Sequence, residues 1–338
     1  MASETDVQLS NCPQIQNIRY LNGAALDGLG LCMGEIVDIL EDLFREKAKG
    51  ELFMPPKIFF HRHGPRFYSA MASAAPALGF AGCKWQSGDP DNPTRDLPYI
   101  QGLYILTEDT TGQMVALMDA KWITGRRTAA ASALVARHLA KSKDTSLAIL
   151  GCGLQGRAHL EAIKGEVPSL SHCRAYDIAP ERQALYVEEM NGRYGMTVEG
   201  AADAEAAVRG ADIIVTGGPI SEKRAPILEP EWVSPGVLLI TIDYDSYVTD
   251  ACIAAMDLIL TDDRGQIKDA RINEGKFPGV SRIDADNAEL IAHGKGRRQD
   301  DTQRILAFNL GIALEDVATA AEIYRRAEAA DAGIVLEA

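Results

Sequence analysis

A two-lobed α/β chain is predicted, with a doubly wound parallel sheet covered by helices on both faces and a smaller α+β lobe beside it. Three observations carry the prediction. From Ser146 onward, strand and helix patterns alternate, and such alternation means parallel pairing. Before Arg127 the strands are short and separated by turn residues, as in an antiparallel sheet. The length of 338 residues also exceeds what one ordinary core organises.

The first element is a helix over 29–49, where Met33, Ile36, Val37, Leu40, Leu43 and Phe44 recur at helical spacing. Pro55-Pro56 ends it, and 57–60, 66–69, 82–86, 103–106 and 114–118 read as strands. Asp109-Thr-Thr-Gly112 is the tight turn between the last two, with glycine supplying the positive φ. An alanine-rich helix is predicted over 128–141, with Thr128 as its N-cap. Strand 146–150, helix 154–164, strand 173–176, helix 181–194 and strands 212–216, 237–242 and 258–261 follow. The closing amphipathic helix, 312–329, has no sheet of its own and is expected to pack back on the first lobe. Residues 1–127 with 308–338 then form a substrate-binding and dimerisation domain, and 128–307 the parallel-sheet domain.

Composition limits the function. Hydrophobic residues make up 46% and charged residues 24%, a globular balance. The formal charge of −14, from 34 Lys+Arg against 48 Asp+Glu, repels phosphate backbones and anionic lipid. Neither nucleic acid nor a membrane is expected as a partner. No run approaches the roughly 18 apolar residues of a spanning helix. The polar start MASETDVQLS lacks a signal pattern, so a cytoplasmic protein is expected. The six cysteines, Cys12, Cys32, Cys83, Cys152, Cys173 and Cys252, form no C-x-x-C pair and suggest no metal site or disulfide frame. His61-Arg-His63 lacks a third ligand pattern, and Gly294-Lys-Gly-Arg-Arg298 is one short basic run in an acidic chain, read as a solvated turn.

The strongest motif is Gly151-Cys-Gly153-Leu154-Gln155-Gly156, set between an apolar strand and a helix. In this Rossmann-type fingerprint one glycine makes the turn, one admits a pyrophosphate, and one lets helix pack on strand. The helix N-terminus offers its free N–H groups to the phosphates. Asp177, at the end of the next strand, is placed to accept from both ribose hydroxyls. Ile178, Ala179 and Pro180 after it bring no cation for a 2′-phosphate, so NAD rather than NADP is expected. Ile178 and Thr216, at strand ends, complete the expected cofactor contacts.

With Lys84-Trp85, Asp109–Gly112, Ile123-Thr-Gly-Arg-Arg-Thr-Ala-Ala130, Gly151–Gly156 and Gly311-Ile-Ala-Leu-Glu-Asp-Val317, the chain resembles the ornithine cyclodeaminase/μ-crystallin family from about Met54 to the final helix. The resemblance implies a homodimer built through the N-terminal sheet and a nicotinamide cofactor in the cleft between the lobes. It also implies a hydride exchange at an amino acid α-carbon. Lys84 matches the lysine beside the substrate carboxylate and reacting carbon, and Arg127 the arginine whose planar fork clamps that carboxylate. Thr128 is placed for a cofactor phosphate or as an N-cap. Asp243 matches the aspartate that binds the substrate amino group, with Asp245 a competing acid. Lys57 stands where the cyclodeaminases carry a carboxylate-binding arginine.

Two departures narrow the reaction. The family's Pro-Gly-Lys after the aspartate is here Asp245-Ser-Tyr247. Between Phe67 and Lys84 there is no acid to hold a distal amine, and an unpaired buried ammonium is costly. An NAD-dependent oxidoreductase converting a small α-imino acid (keto acid plus amine) to an amino acid, or the reverse, is therefore expected. The alternatives are an ornithine or lysine cyclodeaminase using NAD catalytically, and a non-catalytic small-ligand binder on the same fold.

Overall fold

The structure, a computed structural model, describes residues 17–61, 66–220 and 224–337. His63 and Cys12 lie outside these. The strands form two sheets. The first holds seven strands in the spatial order Ile334–Leu336, Ile18–Leu21, Met114–Asp119, Ile100–Glu108, Phe80–Gly88, Phe67–Ala75 and Ile58–His61. The last five are the predicted strands, longer than expected at Phe67–Ala75, Phe80–Gly88 and Ile100–Glu108, and they pair antiparallel in succession. Gly112 takes φ 73 in the predicted turn. Ile18–Leu21 joins Met114–Asp119 in parallel and Ile334–Leu336 pairs beside it, so the sheet is mixed and not purely antiparallel. Both additions are too short to show an alternating pattern.

The pleat puts Phe67, Ser69, Met71, Ser73 and Ala75 on the buried face. Helix Ala313–Ala329 covers that face, and Met33–Lys49 packs against this helix and the long helix Ala120–Leu139, burying the six apolar residues read from its sequence. Each such buried side chain contributes roughly 1.5–3 kcal/mol. The final helix does pack on the first lobe. Ser73 Oγ donates to Ala313 O at 2.8 Å, and Arg326 pairs with Glu35 at 2.7 Å.

The second sheet has eight strands, all parallel. At its centre Ile213–Thr216, Leu238–Thr241 and Ile305–Phe308 are buried at every position, as strands covered on both faces must be. The edge strand Thr197–Gly200 follows a helix that ends at Met190, not at 194, because Gly192 and Tyr194 take positive φ.

One prediction fails outright. The long helix between the sheets runs Ala120–Leu139, and its N-cap is Asp119, whose carboxylate accepts from Lys121 N at 2.8 Å. Thr128 is therefore not an N-cap. The strand Met114–Asp119 turns directly into the helix, whereas the alanine run after Thr128 imitated a start. A boundary between 127 and 128 falls inside this helix. The run Gly294–Arg298 is also not merely solvated, since Arg298 donates to Leu139 O and Gln303 O.

Candidate active site

Strand Ser146–Leu150 ends in the glycine turn, and helix Leu154–Glu166 leaves it. The three glycines have separable reasons. Gly151 has φ 110, and a Cβ there would stand 2.6 Å from Gly217 O. A Cβ on Gly156 would overlap the Gly151 carbonyl oxygen and press on Ile149 at 3.1 Å, so this residue sets how closely helix and strand pack. Around Gly153 a Cβ would meet nothing within 4 Å, which leaves the helix N-terminus open to an approaching phosphate.

Asp177 follows strand His172–Tyr176 and faces this turn. One of its carboxylate oxygens accepts from Cys152 N at 2.8 Å and the other from Ala179 N at 2.9 Å. Ile178 beside it is 81% exposed, and Leu154 is half-exposed on the helix side. Gln155 Nε2 donates to Thr124 O at 3.2 Å, tying the turn to the long helix. Gln155 Oε1, Thr124 Oγ1 and Thr128 Oγ1 are buried and have no hydrogen-bond partner among the described residues. Thr124 and Thr128 are four apart and share a helix face. Orphaned polar atoms beside an open, glycine-lined helix N-terminus fit the hydroxyls and phosphates of a dinucleotide.

Asp243 lies two residues past strand Leu238–Thr241, at the carboxyl ends where ligands bind such sheets. It is fully buried. Oδ1 accepts from Thr216 Oγ1 at 2.7 Å, and Oδ2 accepts from Gly218 N at 3.0 Å. Burial raises its pKa to about 7, against the lowering effect of these hydrogen bonds. Thr216 was expected at the cofactor; its hydroxyl is committed to Asp243 instead. Asp245, the competing acid, is bound by Arg224 Nε and Phe277 N, both at 2.8 Å. Tyr247 sits over Gly218, where a Cβ would overlap its phenol oxygen.

Opposite, on the inner face of the first sheet, lies a cluster of charges. Lys84 is fully buried, with Nζ 3.0 and 2.8 Å from the two oxygens of Asp316. Arg127 is almost as buried. It gives Nε to Asp316 at 2.9 Å and Nη1 to Glu315 at 2.8 Å. Lys57 donates to Leu310 O at 3.1 Å and stands 4.7 Å over the Tyr244 ring, next in sequence to Asp243. Asp262 accepts from Gly311 N at 2.6 Å. Burial and the Arg127 charge lower the Lys84 pKa to about 8, with Asp316 opposing them. Burial and the Glu315 charge push Asp262 upward, so this acid holds its proton more firmly than usual. With Asp262 neutral, Lys84 and Arg127 face Glu315 and Asp316, while Glu274 faces Lys57.

Sequence reading brought Lys84, Arg127, Lys57 and Asp243 into consideration and missed Asp262, Glu315 and Asp316. A signal existed for the last two. Leu314 and Val317 flank them, and residues 313–321 are buried on every face of the helix, so its acids had to meet cations.

Fold and site together define a dinucleotide-binding protein of Rossmann type, with a second sheet that carries a buried cluster of cations and carboxylates. The ornithine cyclodeaminase/mu-crystallin family matches residues 27–331, and the chain belongs to that family. The alanine dehydrogenase of Archaeoglobus fulgidus is 31% identical over 313 residues, covering 90% of this chain and 93% of that one. An archaeal alanine dehydrogenase dimer with bound NAD superposes with a TM-score of 0.83 at 29% identity, over 95% of this chain and 99% of that one. The Thermococcus litoralis Δ1-pyrroline-2-carboxylate reductase, in complex with NADH and L-proline, has the same fold. Its TM-score is 0.85 at 24% identity, over 94% of this chain and all of that one.

Proposed function

We propose that the protein is an NAD-dependent oxidoreductase that reduces a small α-imino acid, formed from a keto acid and an amine, to an amino acid, or runs the reverse. The observation that carries this reading is the register partner of Lys84. Across the strand pair it is Met71, and the buried face of Phe67–Ala75 carries no carboxylate. On that strand a substrate beside Lys84 meets a thioether and the Ser69 and Ser73 hydroxyls, while the nearby acids Asp316 and Glu315 are already bound by Lys84 and Arg127.

The cofactor is NAD, held by Gly151, Gly153, Leu154, Gln155 and Gly156, with Asp177 on the adenosine ribose, Ile178 beside it and Thr128 toward a phosphate. When bound, it supplies the hydride exchange at the α-carbon. Lys84, Arg127 and Lys57 hold the carboxylate. Asp243 holds or moves the proton at the substrate nitrogen, with a pKa of about 7 that lets it work as acid or base. Thr216 and Gly218 keep its carboxylate in place.

The working unit is a homodimer. The outer face of the first sheet is apolar, with Phe60 stacked on Tyr68 (centroids 5.4 Å) and Tyr68 on Trp85 (6.2 Å), Trp85 being 47% exposed. Such a contiguous apolar face marks an interface. The division into 1–127 with 308–338 and 128–307 is retained for the two lobes, with Ala120–Leu139 spanning them. No helix among the described residues is long and apolar enough to cross a membrane, and we place the enzyme in the cytoplasm. Following absorbance of NADH while presenting small keto acids with ammonia or methylamine tests the reaction. No NADH oxidation with any of them would reject it.

A further inference from the structure

We infer that Asp316 is a positioning residue that locks Lys84 and Arg127 into one preformed receptor for the substrate carboxylate. The inference rests on the proposed reaction and deepens it. Lys84 comes from strand Phe80–Gly88 and Arg127 from helix Ala120–Leu139, which packs on it, and two cations buried side by side repel each other. The Asp316 carboxylate, from the first turn of Ala313–Ala329, holds them together. It lies 3.0 and 2.8 Å from Lys84 Nζ and 2.9 Å from Arg127 Nε.

The way the donors are divided points to a receptor and not only to a structural ion pair. Arg127 gives Nε and Nη1 to the two acids of the helix. Its Nη2 has no hydrogen-bond partner among the described residues. The Lys84 ammonium carries three donors and, among the described residues, meets one carboxylate group. The receptor is thus oriented by protein acids while keeping donors for a second carboxylate. A guanidinium edge held in this way is preorganised, and less freedom is lost on binding.

The same carboxylate bears on the charge of Lys84. The groups around it are Tyr104 across from Lys84 on Ile100–Glu108, Cys83 beside it, Arg127 on the long helix with Glu315 and Asp262 facing it, and Lys57 before strand Ile58–His61 with Glu274 and Asp262 facing it. Arg127 and Lys57 disfavour the ammonium, and Asp316 favours it. Removing the Asp316 charge therefore moves loss of the Lys84 proton to lower pH.

The test uses the full chain with Asp316→Asn and Asp316→Glu. One readout is the pH dependence of kcat/KM, separated into kcat and KM, for NADH-driven imine reduction. The other needs no activity: carbon-13 NMR titration of the Lys84 ε-carbon in lysine-labelled protein, assigned by its loss in Lys84→Arg. For Asp316→Asn we expect the Lys84 midpoint to fall by about one pH unit or more, the size of a lost close charge partner. The alkaline limb of kcat/KM should fall with it. KM for the imino acid should rise on the order of tenfold, while the affinity for NADH stays put. Asp316→Glu keeps the charge one methylene away, so it should restore the limb and leave KM raised. A Lys84 midpoint unmoved in Asp316→Asn would overturn the inference. If that variant does not fold, wild-type KM in a less stable Asp316→Glu protein overturns it equally. A lowered Lys84 midpoint in a protein that reduces no imine would sustain the charge coupling and reject the reaction.

Discussion

Thr216 donates its hydroxyl hydrogen to Asp243 at 2.7 Å, and both side chains are fully buried at the carboxyl edge of the parallel sheet. That bond favours the ionised carboxylate, so it restrains the upward shift that burial imposes. Thr216→Val keeps the shape and removes the donor. The Asp243 pKa should then rise above about 7, and the pH limb it governs should move up with it. The unsatisfied oxygen should destabilise the fold by roughly 1–3 kcal/mol. Thermal unfolding and a pH profile of the variant check both.

The pH dependence of the wild type follows from Asp243 and from the buried lysines, Lys57 being lowered to about 8 like Lys84. Asp243, with its pKa raised to about 7, must be protonated to give a proton to the imine nitrogen and ionised to take one from the amine. Lys84, lowered to about 8, must be an ammonium to hold the carboxylate. Reductive kcat/KM should thus fall as pH rises through 7, and more steeply above 8. Oxidative kcat/KM should rise through 7 and fall above 8. Asp243→Asn should abolish the limb near 7 in both directions; a limb that survives would assign it to another acid.

The glycine turn gives a paired test of cofactor placement. Gly153→Ala introduces a Cβ into open space, so the fold should tolerate it while NAD affinity falls, because the methyl takes the room left for a phosphate. Gly156→Ala overlaps the Gly151 carbonyl and should cost several kcal/mol of stability as well, as overpacking does. Asp177→Ser should narrow a preference for NAD(H) over NADP(H), since the repulsion of a 2′-phosphate goes with the carboxylate. Fluorescence titration with each dinucleotide reads these changes. Unaltered NAD affinity in Gly153→Ala would move the pyrophosphate elsewhere.

Much of this was legible in the sequence because periodicity and glycine spacing are local. The strand, turn and helix around Gly151–Gly156 agree with the structure within two residues, and the helix Met33–Lys49 shows its buried stripe directly. What escaped was long-range. Ile18–Leu21 and Ile334–Leu336 are strands only because each pairs with a distant edge. Thr128 resembled a cap because composition changed there, while the true cap, Asp119, closes a strand that becomes a helix without a loop. Asp316 is separated from Lys84 by 232 positions, so its role depends on where the final helix returns.

Arg127→Lys keeps the charge and loses the fork. A lysine cannot hold Glu315 and Asp316 together and still face a substrate, so kcat/KM should drop on the order of tenfold or more. The measurement is steady-state kinetics with the imino acid varied. Unchanged kinetics in both Arg127→Lys and Lys84→Ala would put the carboxylate site elsewhere.

Ornithine separates net redox chemistry on a small α-imino acid from cyclodeamination. Met71 opposite Lys84 gives a second amine no carboxylate on that strand. The direct measurement compares NADH consumed with amino acid formed from small keto acids plus amine, alongside proline formed from ornithine with NAD. One NADH should be oxidised per amino acid produced, with little proline formed. Proline formed from ornithine with catalytic NAD, faster than any imine tested is reduced, would contradict this and make the protein a lyase.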